Sequence, residues 1–176
     1  MEQVRISKIL SELGLCSRRE ADNYIKQGQV LLDGKVVSEL GTKACRSQKV
    51  ELNKKGKLKQ SKKLTILLNK PVGYISHLDD DKEFKPASDL INPDNYFSNE
   101  LNDRNPLFNR EGLAPAGRLD IDSTGLLILT QDGTMAKKII GENVVVEKEY
   151  LVKVQGDLTD ENLRLLNHGL TLDGYK

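Results

Sequence analysis

Residues 116–133, which read AGRLDIDSTGLLILTQDG, join a polar loop to a short apolar segment. The segment 126–130 is bounded by turn residues, a pattern typical of a strand buried on both faces. The loop before it is crowded with polar side chains: Arg118, Asp120, Asp122, Ser123 and Thr124. Because loops on a rigid scaffold often carry function, this one is a candidate site. A purely structural alternative is that the two Asp residues cap turns and Arg118 pairs with one of them.

Upstream of this segment, residues 64–68 form another apolar run, which predicts a buried strand. Pro71 ends it and Gly73 permits a turn, so we predict a bend and then a second strand. A long polar stretch follows, from His77 to about residue 114, and loops of that length are usually functional or disordered. Its three adjacent carboxylates, at 79–81, do not converge on one ion, so no metal site is predicted.

Helical periodicity dominates the beginning of the chain. Four apolar residues at i, i+3, i+4 and i+7 predict one buried helix face that ends at Gly14: Ile6, Ile9, Leu10 and Leu13. The tetrapeptide SRRE at 17–20 predicts a capping box and a second helix over about 18–26. Its apolar positions should face the first helix: Ala21, Tyr24 and Ile25.

Two further signals predict a small sheet after the second helix. Asp33-Gly34 lies between two apolar runs, which is the strongest short-range signal for a β-hairpin. Residues 49–52 predict another strand. Residues 53–63 are rich in lysine and almost free of apolar side chains, so we predict a linker there.

The net charge of +1 conceals two halves of opposite sign. Residues 1–63 contain 15 Lys and Arg against 7 Asp and Glu, and residues 64–176 contain 12 against 19, so charges of +8 and −7 add to +1. A basic front half indicates nucleic-acid binding by one part of the chain. Cys16 and Cys45 form no metal-binding or disulfide pattern, and no apolar run is long enough to span a membrane. We therefore expect a cytoplasmic protein without membrane contact.

The front segment also resembles a known domain. Residues 5–37, RISKILSELGLCSRREADNYIKQGQVLLDGKVV, resemble the S4-like RNA-binding domain, and the match extends to about residue 52. In that family the basic faces of the two helices contact RNA phosphates. The resemblance assigns this role to six residues: Arg5, Lys8, Ser17, Arg18, Arg19 and Lys26.

The loop and strand at 117–133 are similar to the active-site motif of pseudouridine synthases of the RsuA/RluB/RluF type, which modify ribosomal RNA. Residues 69–73, NKPVG, and residues 147–152, EKEYLV, resemble the motif before it and the tyrosine-bearing strand after it. The resemblance implies isomerisation of a uridine in ribosomal RNA to pseudouridine, without a cofactor or metal, during rRNA processing and ribosome biogenesis. We expect a monomer whose partner is RNA.

The resemblance also assigns roles within the active site. Asp120 is the catalytic carboxylate, which attacks the sugar or carbon 6 of the base, or abstracts a sugar proton. Arg118 accompanies base flipping, and the ring of Tyr150 stacks on the flipped uracil. Lys70 orients the loop or contacts phosphate. His77 and His168 match no catalytic position of the family.

The predicted fold class is α+β, with three segments. A helix-helix-hairpin RNA-binding domain at 1–53 precedes a basic linker at 54–63 and a mixed, mostly antiparallel sheet domain at 64–176. The sheet domain is expected to be incomplete, because family members continue through a further motif whose arginine pairs with the catalytic carboxylate. The chain alone should therefore have little activity. The Asn-rich stretch at 93–111 is longer than expected between the first two motifs.

Two other functions are compatible with parts of the sequence. One is a non-catalytic RNA-binding protein whose rear domain has lost activity. The other is a sugar hydrolase that uses Asp120 and Asp122, although carboxylates two residues apart on one strand rarely flank a glycosidic bond.

Overall fold

The computed structural model describes residues 2–77, 83–97, 110–142 and 144–171. The chain forms two compact units, residues 1–146 and 147–176. Helices alternate with short strands, and all the described strand pairs but one are antiparallel, as the α+β prediction requires. In the described part of the chain, no helix is long and apolar enough to cross a membrane.

The front of the larger unit contains two helices and two small sheets. In chain order its elements are β1 (Gln3–Arg5), α1 (Ile6–Glu12), α2 (Arg18–Lys26), β2 (Val30–Leu32), β3 (Lys35–Val37), β4 (Lys43–Cys45) and β5 (Val50–Leu52). Strand β2 pairs with β3 and β5, and β1 pairs with β4. The helices, the hairpin and β5 confirm the sequence predictions, whereas the β1–β4 pair was not predicted.

The front core confirms the predicted periodicity with one exception. Ile6, Ile9 and Leu10 of α1 are buried in one cluster with the three predicted apolar residues of α2. Leu13, however, is 58% exposed. The prediction for Leu13 is wrong because α1 already ends at Glu12, so Leu13 is the C-cap and not part of the regular helical face.

Local hydrogen bonds hold the ends of these elements. The Ser17 hydroxyl accepts from the Glu20 N–H at 3.4 Å, and the Glu20 carboxylate accepts from the Ser17 N–H at 2.7 Å, so the predicted capping box is confirmed. In the hairpin turn, Asp33 and Gly34 have φ angles of 49° and 81°. Two left-handed residues in succession define the turn that matches the twist of a two-residue hairpin.

The predicted linker is helical. Helix α3 covers Lys54–Ser61, and the Asn53 side chain caps it by accepting from the Gly56 N–H at 2.9 Å. Gly56 is buried, and a Cβ there would lie 3.3 Å from the Gln29 carbonyl oxygen and 3.3 Å from the Leu52 Cβ. The absence of a side chain thus lets α3 lie directly on the front part, which its lack of apolar residues did not predict.

The rear part of the larger unit contains a three-stranded sheet. In chain order its elements are β6 (Thr65–Lys70), β7 (Tyr74–Ile75), β8 (Lys85–Pro86), two 3₁₀ turns (Ala87–Leu90 and Pro93–Asn95), β9 (Ala114–Pro115), β10 (Gly125–Thr130) and α4 (Gly133–Ile140). Strand β10 lies between β6 and β9, and β7 pairs in parallel with β8. The predicted end of β6 before Pro71 and the second strand after it are confirmed. Residues 98–109 of the Asn-rich stretch and the carboxylates at 79–81 lie outside the described residues.

The sheet buries one face more than the other. Leu127 and Leu129 of β10 are buried, whereas Leu126 is 65% exposed and Leu67 of β6 is 69% exposed. Successive strand residues point to opposite faces, which explains this alternation. The predictions that β6 is buried and that β10 is buried on both faces are therefore wrong for the described structure.

The starts of α2 and α4 meet where the front and rear parts touch. A Cβ on Gly133 would lie 2.6 Å from the Ser17 Cβ, so only glycine fits without a shift. Beside them, Lys63 forms an ion pair with Glu20. Burial alone would raise the pKa of Asp132, but hydrogen bonds from Thr134 and the charge of Lys63 hold that pKa below its usual value.

The smaller unit, residues 147–176, contains helix α5 (Asp160–His168), whose N-cap Thr159 accepts from the Asn162 N–H at 3.2 Å. Residues 147–154 form neither helix nor strand, so the predicted strand at 147–152 is not formed. A strand needs a neighbour for its backbone N–H and C=O groups, and within the described residues nothing pairs with this segment.

The two cysteines should differ in reactivity. Cys16 is fully buried, and burial raises the pKa of its thiol to about 11, whereas Cys45 is partly exposed. We expect iodoacetamide near pH 8 to label Cys45 in the folded protein and both thiols after denaturation, because only the thiolate reacts. Mass spectrometry of the labelled peptides gives the readout, and rapid native labelling of Cys16 would contradict it.

The same shift predicts a pH dependence of stability. Between the ordinary thiol pKa of 9.0 and about 11, the folded state keeps a proton that the unfolded chain loses. The stability linked to Cys16 is thus complete below pH 9.0 and is lost as pH rises through about 11. We expect the difference in free energy of unfolding between wild type and Cys16→Ala to shrink over that range in urea titrations.

Candidate functional site

The polar loop between β9 and β10 is held by the segment that follows β6. The Ser76 hydroxyl donates to the Leu119 carbonyl oxygen at 2.6 Å and accepts from the Leu119 N–H at 2.8 Å. The Gly73 N–H donates to the Ile121 carbonyl oxygen at 2.9 Å. These bonds fix the backbone on both sides of Asp120.

Lys70 lies beneath this loop with no exposed surface. Its ammonium donates to the carbonyl oxygens of Tyr74 at 2.8 Å, Pro71 at 2.9 Å and, more weakly, Ile121 at 3.4 Å. Removal from water lowers the pKa of Lys70, while the charges of Asp120 and Asp122 act in the opposite direction. Of the two roles predicted for Lys70, this geometry fits loop orientation, because a buried ammonium does not reach phosphate.

The side chains of Asp120 and Arg118 are exposed on this fixed backbone. A turn follows Asp120, in which the Ser123 N–H donates to the Asp120 carbonyl oxygen at 3.0 Å. Within the described residues, Arg118 pairs with neither Asp120 nor Asp122, contrary to the structural alternative. An accessible carboxylate between two anchored neighbours can serve as a nucleophile or a base.

The remaining predicted active-site residue, Tyr150, belongs to the smaller unit. It is 60% exposed, so its ring is available for contact. His77 and His168 are also exposed. Among the residues described, no group of three or more His, Cys, Asp or Glu side chains is placed to hold a metal ion.

Three of the six predicted RNA-contacting residues lie around one cleft of about 320 Å³ at the front of the molecule: Arg5, Lys8 and Arg18. Lys43 of β4 lines the same cleft and was missed by the sequence analysis, because only the unpredicted β1–β4 pair brings it there. Asp22 and Glu2 also line the cleft, so its charge is mixed.

The other three predicted residues lie elsewhere. Arg19 and Lys26 are exposed on α2, seven positions apart and thus on one helix face. Ser17 caps α2 and packs against the position of Gly133, which places its hydroxyl in the contact between the front and rear parts.

Comparison with known proteins agrees with both sequence resemblances. The family model for RNA pseudouridylate synthases matches residues 64–171, which include the candidate loop. The chain belongs to the RNA pseudouridylate synthase family. The S4 domain model matches residues 4–50, so the predicted combination of an S4 domain and a pseudouridylate synthase segment is confirmed.

Curated relatives extend this similarity over nearly the whole chain. Ribosomal large subunit pseudouridine synthase B of Bacillus subtilis is 37% identical over 98% of this chain and 64% of its own length. The dual-specificity RNA pseudouridine synthase RluF of Escherichia coli K12 is 37% identical over 97% of this chain and 53% of its own length. The chain therefore spans between half and two thirds of these relatives.

One solved structure, titled "Crystal structure of pseudouridylate synthase", is 23% identical to this chain. The match covers 77% of this chain and 52% of the chain in that structure, with a TM-score of 0.34.

Removing the Ser76 hydrogen bonds should measurably lower the stability of the loop. In Ser76→Ala, the partly buried N–H and C=O of Leu119 both lose their partner, so we expect the free energy of unfolding to fall by about 2 kcal/mol. The Leu119 amide should also exchange with solvent faster. Urea titration and hydrogen exchange measure the two effects.

Ser61→Ala is the matched control, because that exposed hydroxyl donates only to the Leu58 carbonyl oxygen within α3. Its effect should stay below about 0.5 kcal/mol. Equal effects of the two substitutions would show that Ser76 does not anchor the loop.

Proposed function

We propose that this protein isomerises a specific uridine in ribosomal RNA to pseudouridine, with Asp120 as the catalytic carboxylate. The supporting observation is the exposed Asp120 carboxylate on a backbone anchored through Leu119 and Ile121. The family membership and the ribosomal function named in one relative's title support the substrate class.

Isomerisation detaches uracil from the ribose, turns it and rejoins it through carbon 5 instead of nitrogen 1. No atoms are gained or lost, so the reaction needs no cofactor. Asp120 either attacks the anomeric carbon or carbon 6 of the base, or abstracts a sugar proton. The negative charges of Asp120 and Asp122 favour the charged form of the buried Lys70 ammonium beneath the loop.

Base access is the second requirement, because a stacked uridine cannot reach Asp120. Flipping the nucleotide costs a few kcal/mol of stacking and pairing. Arg118, two positions before Asp120, would occupy the gap that the base leaves. Tyr150 would stack on the flipped uracil, and such stacking contributes roughly 1–3 kcal/mol per base.

RNA binding would begin at the front cleft lined by Arg5, Lys8 and Arg18. Lys and Arg that neutralise phosphates give affinity that does not depend on sequence and weakens with salt. We propose that the protein acts on RNA as a monomer in the cytoplasm and contributes to ribosome biogenesis.

The non-catalytic alternative differs from this proposal only in the chemistry at Asp120. A decayed active site has no need for a fixed loop, yet Lys70 and Ser76 hold this one with buried hydrogen bonds. The sugar-hydrolase alternative needs two carboxylates on opposite sides of a glycosidic bond, and Asp120 and Asp122 belong to one short loop.

Asp120→Asn separates these functions. We expect release of tritium from ribosomal RNA labelled at carbon 5 of uridine to depend on the Asp120 carboxylate. Asp120→Asn should abolish release while RNA binding persists, and Asp122→Asn, the control with the same charge change nearby, should retain most of it. RNA binding by the wild type without tritium release would support the non-catalytic alternative instead.

We also propose that residues 1–176 alone have little activity. The curated relatives that carry the activity in their names are longer than the segment that matches this chain. The expected result is weak tritium release by the isolated chain with substantial RNA binding. Robust pseudouridine formation by a purified 1–176 protein would refute this proposal.

A further inference from the structure

Helix α3 carries a row of lysines that no matched family segment includes. The S4 domain match ends at residue 50 and the synthase match begins at residue 64. Within this gap, Lys55, Lys59 and Lys62 follow one another at i, i+4 and i+7, so they lie on one side of α3 and its C-cap. All three are exposed.

A neighbouring side of α3 is anchored, which gives the lysine row a fixed direction. Gly56 is packed against Gln29 and Leu52, and Asn53 donates to the Gly28 carbonyl oxygen at 3.2 Å. Near the other end, the Tyr24 hydroxyl donates to the Gln60 side chain at 3.0 Å. The helix therefore presents its lysines to solvent at a defined place beside α2.

Within the described part of the protein, no acidic side chain forms an ion pair with the lysines of this row. Lysines three or four positions apart on one helix face repel each other, and α3 contains no acidic residue to offset them. Lys57 on the other side pairs with Glu51 at 3.8 Å, and Lys63 pairs with Glu20. Lys55, Lys59 and Lys62 form no ion pair with any described residue, so a ligand with several negative charges would relieve their repulsion.

A groove of about 490 Å³ lies between α3 and α2. Lys59, Lys62 and Lys63 line one side, and Asn23 and Tyr24 line the other. The Lys59 ammonium is 5.9 Å from the centre of the Tyr24 ring, which keeps that charge at the groove. Two carboxylates, Glu20 and Glu111, also line the groove, and Glu20 is already neutralised by Lys63.

On α2 the groove is flanked by a second basic row. Arg19 and Lys26 lie one turn before and one turn after Asn23 on the same helix face. Two cationic rows on neighbouring helices, with a polar groove between them, suit a chain of regularly spaced phosphates. A single anion would contact only one of these rows, whereas a chain of phosphates can contact both.

We propose that the groove between α2 and α3 binds the backbone of the RNA substrate, with Lys59 and Lys62 lining the groove and Lys55, Arg19 and Lys26 extending the basic surface beyond it. This inference rests on the proposed RNA function and adds a contact surface to it. The surface is distinct from the front cleft lined by Arg5 and Arg18.

The groove is remote from the candidate catalytic loop. Gln131, which lines the groove, follows the end of β10, whereas the loop that carries Asp120 precedes its start. Six strand residues span about 20 Å. The groove therefore binds RNA several nucleotides away from the reacting uridine and supplies affinity rather than chemistry.

The test compares two variants of the chain with identical charge changes. The groove variant is Lys59→Gln with Lys62→Gln, and the control variant is Lys54→Gln with Lys57→Gln on the other side of α3. Binding to an unmodified transcript of large-subunit ribosomal RNA is measured over a series of salt concentrations. Thermal unfolding and circular dichroism verify that both variants remain folded.

We expect the groove variant to bind RNA more weakly. Its plot of log K against log salt should be less steep, with a slope smaller in magnitude by about 1.8, or roughly 0.9 for each lost phosphate contact. The control variant should retain the wild-type slope. Equal losses in both variants would mean diffuse attraction to a basic helix and would overturn the proposal, as would wild-type binding by the groove variant.

A third variant distinguishes failure of this proposal from failure of the proposed function. Arg5→Gln with Arg18→Gln removes two charges from the front cleft. If this variant alone weakens RNA binding, the protein binds RNA without the groove. If the wild type does not bind the transcript at all, the proposed function fails too. Binding of polyglutamate as tightly as RNA would show an unselective anion surface and would also overturn the groove assignment.

Discussion

The buried ammonium of Lys70 is the interaction on which the candidate site depends. A charge without access to water must be surrounded by polar partners, and this one is met by carbonyl oxygens from Pro71, Tyr74 and Ile121. Those oxygens come from two separate segments, so satisfying one ammonium brings the turn after β6 and the loop before β10 together. Ser76 and Gly73 add neutral hydrogen bonds to the same loop, and the exposed Asp120 lies between the bonded residues.

The contact between the front and rear parts also depends on a largely buried ammonium with polar partners. Lys63 is largely buried, which lowers the pKa of its ammonium, and the nearby charge of Asp132 counteracts this. Its ion pair with Glu20 uses the carboxylate that also closes the capping box of α2. Because Gly133 leaves no side chain between them, the N-termini of α2 and α4 touch directly, and one compact unit contains both these helices and the loop with Asp120.

Helix α3 connects these two features. Its cap and its glycine attach it to the front core, and Gln60 extends from it toward Asp132 at 3.4 Å, in the contact with the rear part. The lysines that made the segment look like a flexible tether are the exposed side of an anchored helix.

The sequence by itself determined the elements whose causes are local. The apolar spacing of α1 and α2, the capping box at Ser17 and the Asp33-Gly34 turn depend on residues within a few positions of one another, and all are present in the structure except for the exposed Leu13. The motif at 117–133 also identified the loop and the strand that follows it, and with them the family. Residue roles within that loop remain predictions.

Only the tertiary structure decided what depends on distant partners. It paired β1 with β4 and so brought Lys43 to the front cleft, packed α3 through Gly56, and left Leu67 on the exposed face of the sheet. It also buried Lys70, a residue type whose sequence context gives no sign of burial. The physical reason is that burial and strand pairing are properties of two segments at once, whereas periodicity and capping belong to one.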